Sequence, residues 1–241
     1  IRSLIIGKMY SSSDLAYYNQ GRQFPNVIVN NINTSIDSVL LPTMASAQDD
    51  RIRVKSMTRR AIKTSTYVMA PLMMGLAFCA EPIVRLVLTE KWLPCVPFLR
   101  IFCITYMFYP IHTANLNAIK AMGRSDLFMK LEIAKKLVGM VLLLSTMWFG
   151  VMAMAYSLLI SSVLGQIINS WPNRKLLNYG YLEQLKDILP GIALAVFMGC
   201  CVNLVGLFNL PNFITLLIQI PLGASIYIAT SALLHLESFE Y

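Results

Sequence analysis

A row of polar side chains between residues 22 and 37 is the part of this sequence best suited to bind a polar ligand. Arg22, Asn26, Asn30, Asn33 and Asp37 recur every three or four residues, so on a helix they share one side. The segment 22–47 is long enough to cross a bilayer, which takes about 20 residues. Polar groups at membrane depth are costly unless they face protein or a water-filled cavity. The row therefore predicts either the lining of a hydrophilic path or hydrogen bonds that join helices.

The other side of the same helix is apolar, with Ile28, Ile32, Ile36 and Val39 in register. Asp37 is the one acidic residue of the segment 22–47. Its carboxylate could bind a coupling cation or pair with a neighbouring base, and the sequence leaves both interpretations open. The preceding residues 11–21 are expected to form a short polar connection.

A second set of charges, Glu132, Lys135 and Lys136, shares a helix face at i, i+3 and i+4. The uncharged stretch behind it, 137–149, has 13 residues. At ~1.5 Å per residue it covers about 20 Å, short of the roughly 30 Å hydrocarbon core. These charges either snorkel to the membrane surface or form a cationic site at the inner mouth of a path for a phosphate-bearing lipid.

His112 and Asn115 share a face in the middle of another apolar stretch, where the histidine is either a proton relay or a hydrogen-bonded interior residue. The sequence contains no nucleophile–base pair, P-loop or zinc motif, and its five cysteines lack metal-binding spacing. We therefore expect no catalytic residues, no metal site, no cofactor and no enzymatic activity.

The composition is that of a membrane protein, because 56% of the 241 residues are hydrophobic and only 13% are charged. A net charge of +8 would suggest nucleic-acid binding in a soluble protein. Here 14 of the 20 basic residues fall in alternate loops, which predicts that those loops and the C-terminus are cytoplasmic. Membrane lipids, and not a nucleic acid, are the expected surroundings.

The chain is expected to be all-α, with about seven transmembrane helices after a truncated first helix at 1–9. The predicted spans include 64–80 and 101–119, a helix that starts near Ser125 or Asp126, and two spans in 188–236 with a turn at 209–212. Residues 81–92 predict a short helix in the membrane interface, and 171–187 a polar connection. Since the sequence begins with Ile, we expect it to be a C-terminal piece of a larger protein.

Three segments resemble one family in both wording and order: residues 4–50, 70–92 (APLMMGLAFCAEPIVRLVLTEKW) and 117–136 (NAIKAMGRSDLFMKLEIAKK). They are similar to the Wzx-type polysaccharide flippases, in the branch named lipopolysaccharide or teichuronic acid biosynthesis protein. That branch belongs to the superfamily of the multidrug and toxin extruders and the lipid II flippase. The resemblance covers essentially the whole chain.

The resemblance implies the second lobe of a two-lobed, mostly fourteen-helix MATE-like transporter. Residues 1–175 would be the end of helix seven through helix twelve, and 176–241 two additional helices. The implied activity is movement of undecaprenyl-pyrophosphate-linked oligosaccharides across the bacterial inner membrane by alternating access, with the missing N-terminal lobe as partner.

The resemblance also implies roles for individual residues. Arg2 and Arg22 would be cavity cations, with Lys135 or Lys136 nearer the inner mouth. Asn30, Asn33 and Asp37 would face sugars or ions. Two alternatives remain at this stage: a Na⁺- or H⁺-coupled drug and toxin exporter of the same fold, and a membrane-embedded polysaccharide polymerase or acyltransferase.

Overall fold

The computed structural model describes residues 2–208 and 210–234, except the side chain of Leu207. Those residues form ten α-helices and two short 3₁₀ segments without a strand, so the predicted all-α fold is confirmed. Residue 1 of the predicted first helix, Asn209 of the predicted turn and the predicted cytoplasmic terminus at 235–241 lie outside the described residues.

Short connections join consecutive helices. The helices are α1 Arg2–Met9, α2 Ser12–Ala45, α3 Arg51–Phe78, α4 Ala80–Val87, α5 Val96–Met107, α6 Tyr109–Ala121, α7 Ser125–Thr146, α8 Val151–Leu176, α9 Tyr181–Val205 and α10 Asn212–Leu233. The 3₁₀ segments Glu90–Cys95 and Gly206–Phe208 precede α5 and follow α9.

Seven helical units have the length of a membrane span: α2, α3 with α4, α5 with α6, and each helix from α7 to α10. Among the described residues, four units are also apolar enough to cross a membrane, or five if α3 and α4, which meet at 67°, form one span. The two remaining units are α2, which carries the polar row, and α7, which carries Glu132, Lys135 and Lys136. The two units that fall short of the span criterion are thus two of those predicted to carry polar sites.

Helix α2 begins at Ser12, well before Arg22, so the prediction of a polar connection at 11–21 was wrong. The Asp14 amide donates to Ser11 Oγ over 3.0 Å, and the Ser11 amide donates to the Asp14 carboxylate over 3.3 Å. This capping box starts the helix within the Ser-rich stretch. With 34 residues α2 is ~51 Å long and extends beyond a ~30 Å hydrocarbon core.

Two further boundaries differ from the predictions. The expected connection at 171–187 is helical except at 177–180, because α8 continues to Leu176 with Arg174 and Lys175 in its last turn. Cations there interact favourably with the carbonyl end of a helix. Helix α7 does begin at Ser125, but the residue in the N-cap position is Arg124, whose guanidinium pairs with Asp126 at 3.0 Å.

The predicted span at 101–119 is broken into α5 and α6 at Phe108. Pro110 is the second residue of α6, and its missing N–H prevents a continuous hydrogen-bond ladder at this point. The two helices still lie in one apolar stretch, Glu90–Ala121, that is long enough to cross a membrane. The predicted interface helix at 81–92 is α4 followed by the start of a 3₁₀ segment.

Helices α2 and α5 approach closely at Gly21. A Cβ atom there would lie 2.8 Å from Phe98 Cβ and 2.9 Å from both Cys95 O and Leu99 N. The buried Tyr18 ring packs edge-on against the Phe98 and Phe102 rings, with centroids 5.9 and 5.2 Å apart. Only glycine permits this crossing, which fixes the position of Arg22 one residue further along.

Helix α9 packs along α3, and a carboxylate near its N-terminal end holds it there. Asp187 pairs with Arg59 at 2.7 Å and Lys63 at 3.5 Å, and Tyr179 Oη donates to it over 2.8 Å. The domain boundary predicted between 175 and 176 lies at the end of α8 and stays a prediction.

We expect Gly21→Ala to lower the free energy of unfolding by about 1–3 kcal/mol, because the added methyl overlaps backbone atoms of α5. The matched control is Gly191→Ala in α9, where the nearest atom to the new Cβ is Tyr227 Oη at 4.0 Å. This control should be neutral or stabilising by up to ~1 kcal/mol. Thermal unfolding of the detergent-purified protein measures both, and equal midpoints would contradict the close packing at Gly21.

Asp187→Ala should lower stability by about 1–3 kcal/mol, because it leaves two cations and a tyrosine hydroxyl without their shared acceptor. The Asp187 side chain is only 7% exposed. In the control Glu183→Ala, a carboxylate that is 41% exposed loses one pair with Lys55. Such a pair contributes less than ~1 kcal/mol. A loss no larger for Asp187→Ala than for Glu183→Ala in the same unfolding assay would remove its role in holding α9.

Candidate functional site

A cavity of about 440 Å³ lies among α1, α2, α5, α6, α7 and α8, and we refer to it as the cationic cavity. Six of the residues predicted from the sequence line it: Arg2, Arg22, His112, Glu132, Lys135 and Lys136. The remaining walls are mainly hydroxyl-bearing and aromatic, formed by Tyr18, Thr105, Tyr106, Tyr109, Thr113, Ser161 and Ser162, together with Leu116, Leu158 and Gly165. The structure therefore brings together residues that are up to 134 positions apart, from Arg2 to Lys136.

Both arginines of the cavity are held by hydrogen bonds to neutral partners. Arg2 Nη1 donates to the Met154 carbonyl of α8 over 3.0 Å, and Arg22 Nε donates to Tyr106 Oη over 2.8 Å. Each guanidinium has five N–H donors, so several remain for a ligand. Neither contact neutralises the positive charge.

The α7 side of the cavity carries two lysines and a carboxylate. Lys135 forms an ion pair with Glu132 three residues earlier, and Lys136 lines the same space. Lys135 lies midway along α7 and is only 19% exposed, so it faces the cavity and does not extend toward either helix end. With Glu132 as the single acid among four cations, the lining of the cavity is strongly positive.

Gly165 of α8 lets the lysine and the histidine approach one another. A Cβ atom on Gly165 would lie 3.2 Å from His112 Cε1 and 3.6 Å from Lys135 Cδ. Both ring nitrogens of His112 have protein partners: Asn169 Nδ2 is 2.9 Å from Nδ1, and Ser162 Oγ is 3.5 Å from Nε2. His112 is thus a hydrogen-bonded wall residue at the edge of the cavity.

Aromatic rings form a continuous wall that sequence reasoning missed. Tyr106 stacks on Phe102 at 6.0 Å and meets Tyr109 edge-on at 5.6 Å, and Tyr109 in turn meets His112 at 5.8 Å. The spacing of these residues places them on one helical face and could have revealed the wall. Tyrosine offers both an apolar ring face and a hydroxyl that donates or accepts.

Asn115 lies away from the cavity in a sealed amide cluster. Asn115 and Gln184 exchange two hydrogen bonds of 2.8 and 2.9 Å, and Asn173 Nδ2 donates to Asn115 Oδ1 over 2.6 Å. All three residues have no exposed surface. They join α6, α8 and α9, the helix-joining role that Asn residues have in membrane proteins.

The polar row of α2 does not form one site. Of its five members only Arg22 lines the cationic cavity. Asp37 lies further toward the C-terminal end of α2, where it accepts a hydrogen bond from Asn117 Nδ2 of α6 over 2.6 Å. Asn30 is exposed, Asn26 is half-buried, and Asn33 is half-buried with its Oδ1 sealed and without a partner among the described residues. The row thus changes its neighbour from α5 to α6 along the helix.

The apolar side predicted for α2 is only partly its packing side. The buried residues Tyr18, Gly21, Pro25 and Val29 define the packing seam, and Ile28 and Ile32 pack beside it. Val39, predicted on the same side, is 67% exposed. Asn30 follows the buried Val29 directly, so the polar row borders the seam and remains open to the surroundings.

A second cavity of about 420 Å³, between α3, α4, α9 and α10, is almost wholly apolar. Its walls are formed mainly by Leu72, Leu76, Met198, Val202 and Ile220. The two cavities differ in chemistry, and an anionic group fits only the first. Within residues 2–208 and 210–234, no group of three or more His, Cys, Asp or Glu side chains is arranged to hold a metal ion.

The known proteins that this chain resembles are named mainly for polysaccharide biosynthesis. Residues 1–97 match the family described as polysaccharide biosynthesis protein. An uncharacterised membrane protein in the cps region of Klebsiella pneumoniae is 30% identical over 84% of this chain and 39% of its own length. The teichuronic acid biosynthesis protein TuaB of Bacillus subtilis is 23% identical over 95% of this chain and 48% of its own length.

Two further comparisons agree. The lipopolysaccharide biosynthesis protein WzxC of Escherichia coli is 23% identical over 70% of this chain and 34% of its own length. The solved structure of the lipid II flippase MurJ, in its inward closed conformation, superposes with a TM-score of 0.78. That likeness covers 94% of this chain and 48% of MurJ at 20% identity, and it shows a shared fold.

The chain spans less than half the length of each of these relatives, between 34% and 48%. The match to TuaB and the structural likeness to MurJ each cover nearly the whole chain. The resemblance drawn from the sequence is thereby confirmed: the chain is similar to membrane proteins of polysaccharide biosynthesis, WzxC among them, and it has the fold of about half of a flippase.

Proposed function

We propose that this chain is the second lobe of a flippase that moves oligosaccharides linked through pyrophosphate to undecaprenol across the bacterial inner membrane. The observation that carries the proposal is the cationic cavity, in which Arg2, Arg22, Lys135 and Lys136 surround one space that borders the middle of α7 and α8. Charged groups at such depth are expensive and mark sites for polar or charged cargo. A carrier, and not an enzyme, fits this arrangement.

The chemistry of the cavity suits a pyrophosphate diester, which carries a negative charge on each phosphate. Arg22 and Arg2 keep free N–H donors, and guanidinium forks match phosphate oxygens in geometry. The tyrosine wall and the hydroxyls of Thr105, Ser161 and Ser162 can contact sugar rings and their hydroxyl groups. A cavity of this polarity accommodates a phosphate and the first sugars of a cargo.

The first lobe of the same protein is the proposed partner. The chain spans about half the length of its relatives. The polar row of α2 includes exposed residues such as Asn30. We infer that this face borders a water-filled space between two lobes, which rock between inward-open and outward-open states. Membrane lipids would surround the remaining apolar helix faces.

The proposed orientation places the basic connections α2–α3, α6–α7 and α8–α9 in the cytoplasm, following the bias of Lys and Arg toward that side. Arg51, Arg53, Lys120 and Arg174 lie at or next to these connections. The C-terminus would then also be cytoplasmic.

A cation-coupled drug exporter of the same fold is the second candidate. Such exporters depend on membrane carboxylates, and the cationic cavity has only Glu132, already paired with Lys135. A strongly positive cavity repels cationic drugs, so the lining favours an anionic cargo. The third candidate, a membrane polymerase or acyltransferase, needs a catalytic set in an outward loop. In the 81–92 segment, which we place outside, three of the four charged residues pair with one another, as Arg85–Glu81 and Arg85–Glu90.

Arg22→Ala in the full-length protein should abolish surface polysaccharide while leaving its amount in the membrane unchanged. Truncating one partner of a hydrogen-bonded charge pair between an arginine and a phosphate that is desolvated in the complex costs about 2–5 kcal/mol of binding. Arg22→Lys should retain partial export, because it keeps the charge but loses the fork. The control is Arg85→Ala, which removes an arginine outside the cavity. Normal surface polysaccharide with Arg22→Ala, measured in cells that lack the native gene, would count against cargo binding there.

The polar row of α2 should face water in the full-length protein. We expect Asn30→Cys to react with a membrane-impermeant maleimide at least ~10-fold faster than Val39→Cys, because thiolates form only in contact with water. Val39 lies on the opposite side of α2 and is 67% exposed here, so it is the matched lipid-facing control. The background needs replacement of every native cysteine, including the five of this chain. Equal rates at both positions would contradict the proposed water-filled space.

A further inference from the structure

Tyr106 is the residue of the cavity wall that holds Arg22. Its hydroxyl oxygen accepts a hydrogen bond of 2.8 Å from Arg22 Nε, across the interface of α2 and α5. Tyr106 is only 5% exposed, whereas Arg22 is an exposed residue that lines the cavity. The contact therefore joins a well-packed ring to a long cationic side chain that would otherwise be flexible.

We propose that Tyr106 is a positioning residue for cargo binding, which fixes the Arg22 guanidinium so that its two Nη groups are presented to a phosphate of the cargo. This inference rests on the proposed function, because it takes the cargo in the cavity to be anionic. It assigns to the cavity a neutral residue that determines the affinity for phosphate through Arg22 and does not itself bind the phosphate.

Aromatic contacts hold the Tyr106 ring in place. The ring stacks on that of Phe102 with centroids 6.0 Å apart and meets the Tyr109 ring edge-on at 5.6 Å. Phe102 has no exposed surface and packs edge-on against Tyr18 at 5.2 Å. Because aromatic pairs prefer such geometries, the hydroxyl has a defined position on α5. The ring contacts do not involve the hydroxyl, so they remain when phenylalanine replaces Tyr106.

The bond to Nε determines which edge of the Arg22 guanidinium is left for a ligand. The group is planar, and its five N–H donors have fixed directions within that plane. Because Nε–H points at Tyr106 Oη, the donors that remain are those of the two Nη atoms. Parallel N–H bonds from both Nη atoms can meet two oxygens of one phosphate, the bidentate arrangement that arginine forms with phosphates.

A neutral acceptor orients Arg22 without cancelling its charge. Lys135, by contrast, is held by the carboxylate of Glu132, which offsets the positive charge of the lysine. A side chain that is ordered before its ligand arrives loses less rotamer freedom on binding, and this raises the affinity. Tyr106 thus strengthens phosphate binding by ordering Arg22 while the full charge of the guanidinium stays available.

The test is a double-mutant cycle on the full-length protein in detergent, with inorganic pyrophosphate as the probe and calorimetric titration as the measurement. Tyr106→Phe should bind pyrophosphate roughly tenfold more weakly than the wild type, because the Arg22 fork loses its fixed direction. In an Arg22→Lys background the same substitution should change the affinity by less than about twofold, since lysine has no planar fork to orient. A general loosening of the cavity would weaken binding in both backgrounds.

Tyr227→Phe is the matched control. Tyr227 is also 5% exposed, and its hydroxyl donates to the Tyr67 carbonyl over 2.9 Å beside the apolar cavity. The substitution removes a tyrosine hydroxyl and its hydrogen bond, as Tyr106→Phe does, but far from the cations. We expect this variant to bind pyrophosphate with the affinity of the wild type.

Unchanged affinity in Tyr106→Phe would overturn the inference. Equal losses in the wild-type and Arg22→Lys backgrounds would also overturn it, since Tyr106 would then act independently of Arg22. A wild type that binds no pyrophosphate, or an Arg22→Ala variant that binds it equally well, would contradict the proposed function and the inference with it.

Discussion

The cost of keeping positive charge among membrane-spanning helices controls this structure. Arg2, Arg22, Lys135 and Lys136 cannot face lipid, and each would lose several kcal/mol of hydration if it were sealed in a dry interior. The fold meets this cost by surrounding one cavity of about 440 Å³ with all four groups and by giving three of them a protein partner. The open volume is therefore a consequence of where the charges lie.

The walls of the cavity differ in how firmly they are packed. Helices α2 and α5 meet without a side chain between them at Gly21, and the Tyr18, Phe102 and Tyr106 rings fill the neighbouring space. Helix α7, which carries Glu132 and both lysines, has Leu143 as its single buried residue. Sparse packing is typical of elements that move during function. The wall that carries the ion pair between Glu132 and Lys135 is thus the less restrained one.

Local patterns in the sequence revealed the cations but not all of their partners. Helical periodicity placed Arg22 on the polar side of α2 and grouped Glu132, Lys135 and Lys136 on one face of α7. It also grouped Asp37 with Arg22, although the structure separates them. The reason is that α5 and α6 follow one another along α2, so that Arg22 meets Tyr106 whereas Asp37 meets Asn117. Contacts between residues so far apart in sequence are set by tertiary packing, which periodicity does not contain.

Other differences could have been avoided from the sequence. The stretch before Asp14 carries the spacing of a capping box, Ser11 with an acid three residues later, and should have been recognised as a helix start. The tyrosine wall follows a helical period through Tyr106 and Tyr109 but was hidden among other apolar residues. By contrast, Asn115 lies in a cluster with Gln184 and away from the cavity because α9 packs against α6 and α8. No pattern within the span around Asn115 indicates that partner.

The most direct measurement of the central claim is an experimental structure of the full-length protein with its native lipid-linked oligosaccharide bound. Density for the pyrophosphate within hydrogen-bonding distance of Arg22 and Lys135, with the first sugars along the tyrosine wall, is the expected result. Cargo bound elsewhere, with the cationic cavity closed by the first lobe and every cation paired within the protein, would contradict the assignment of this cavity as the binding site.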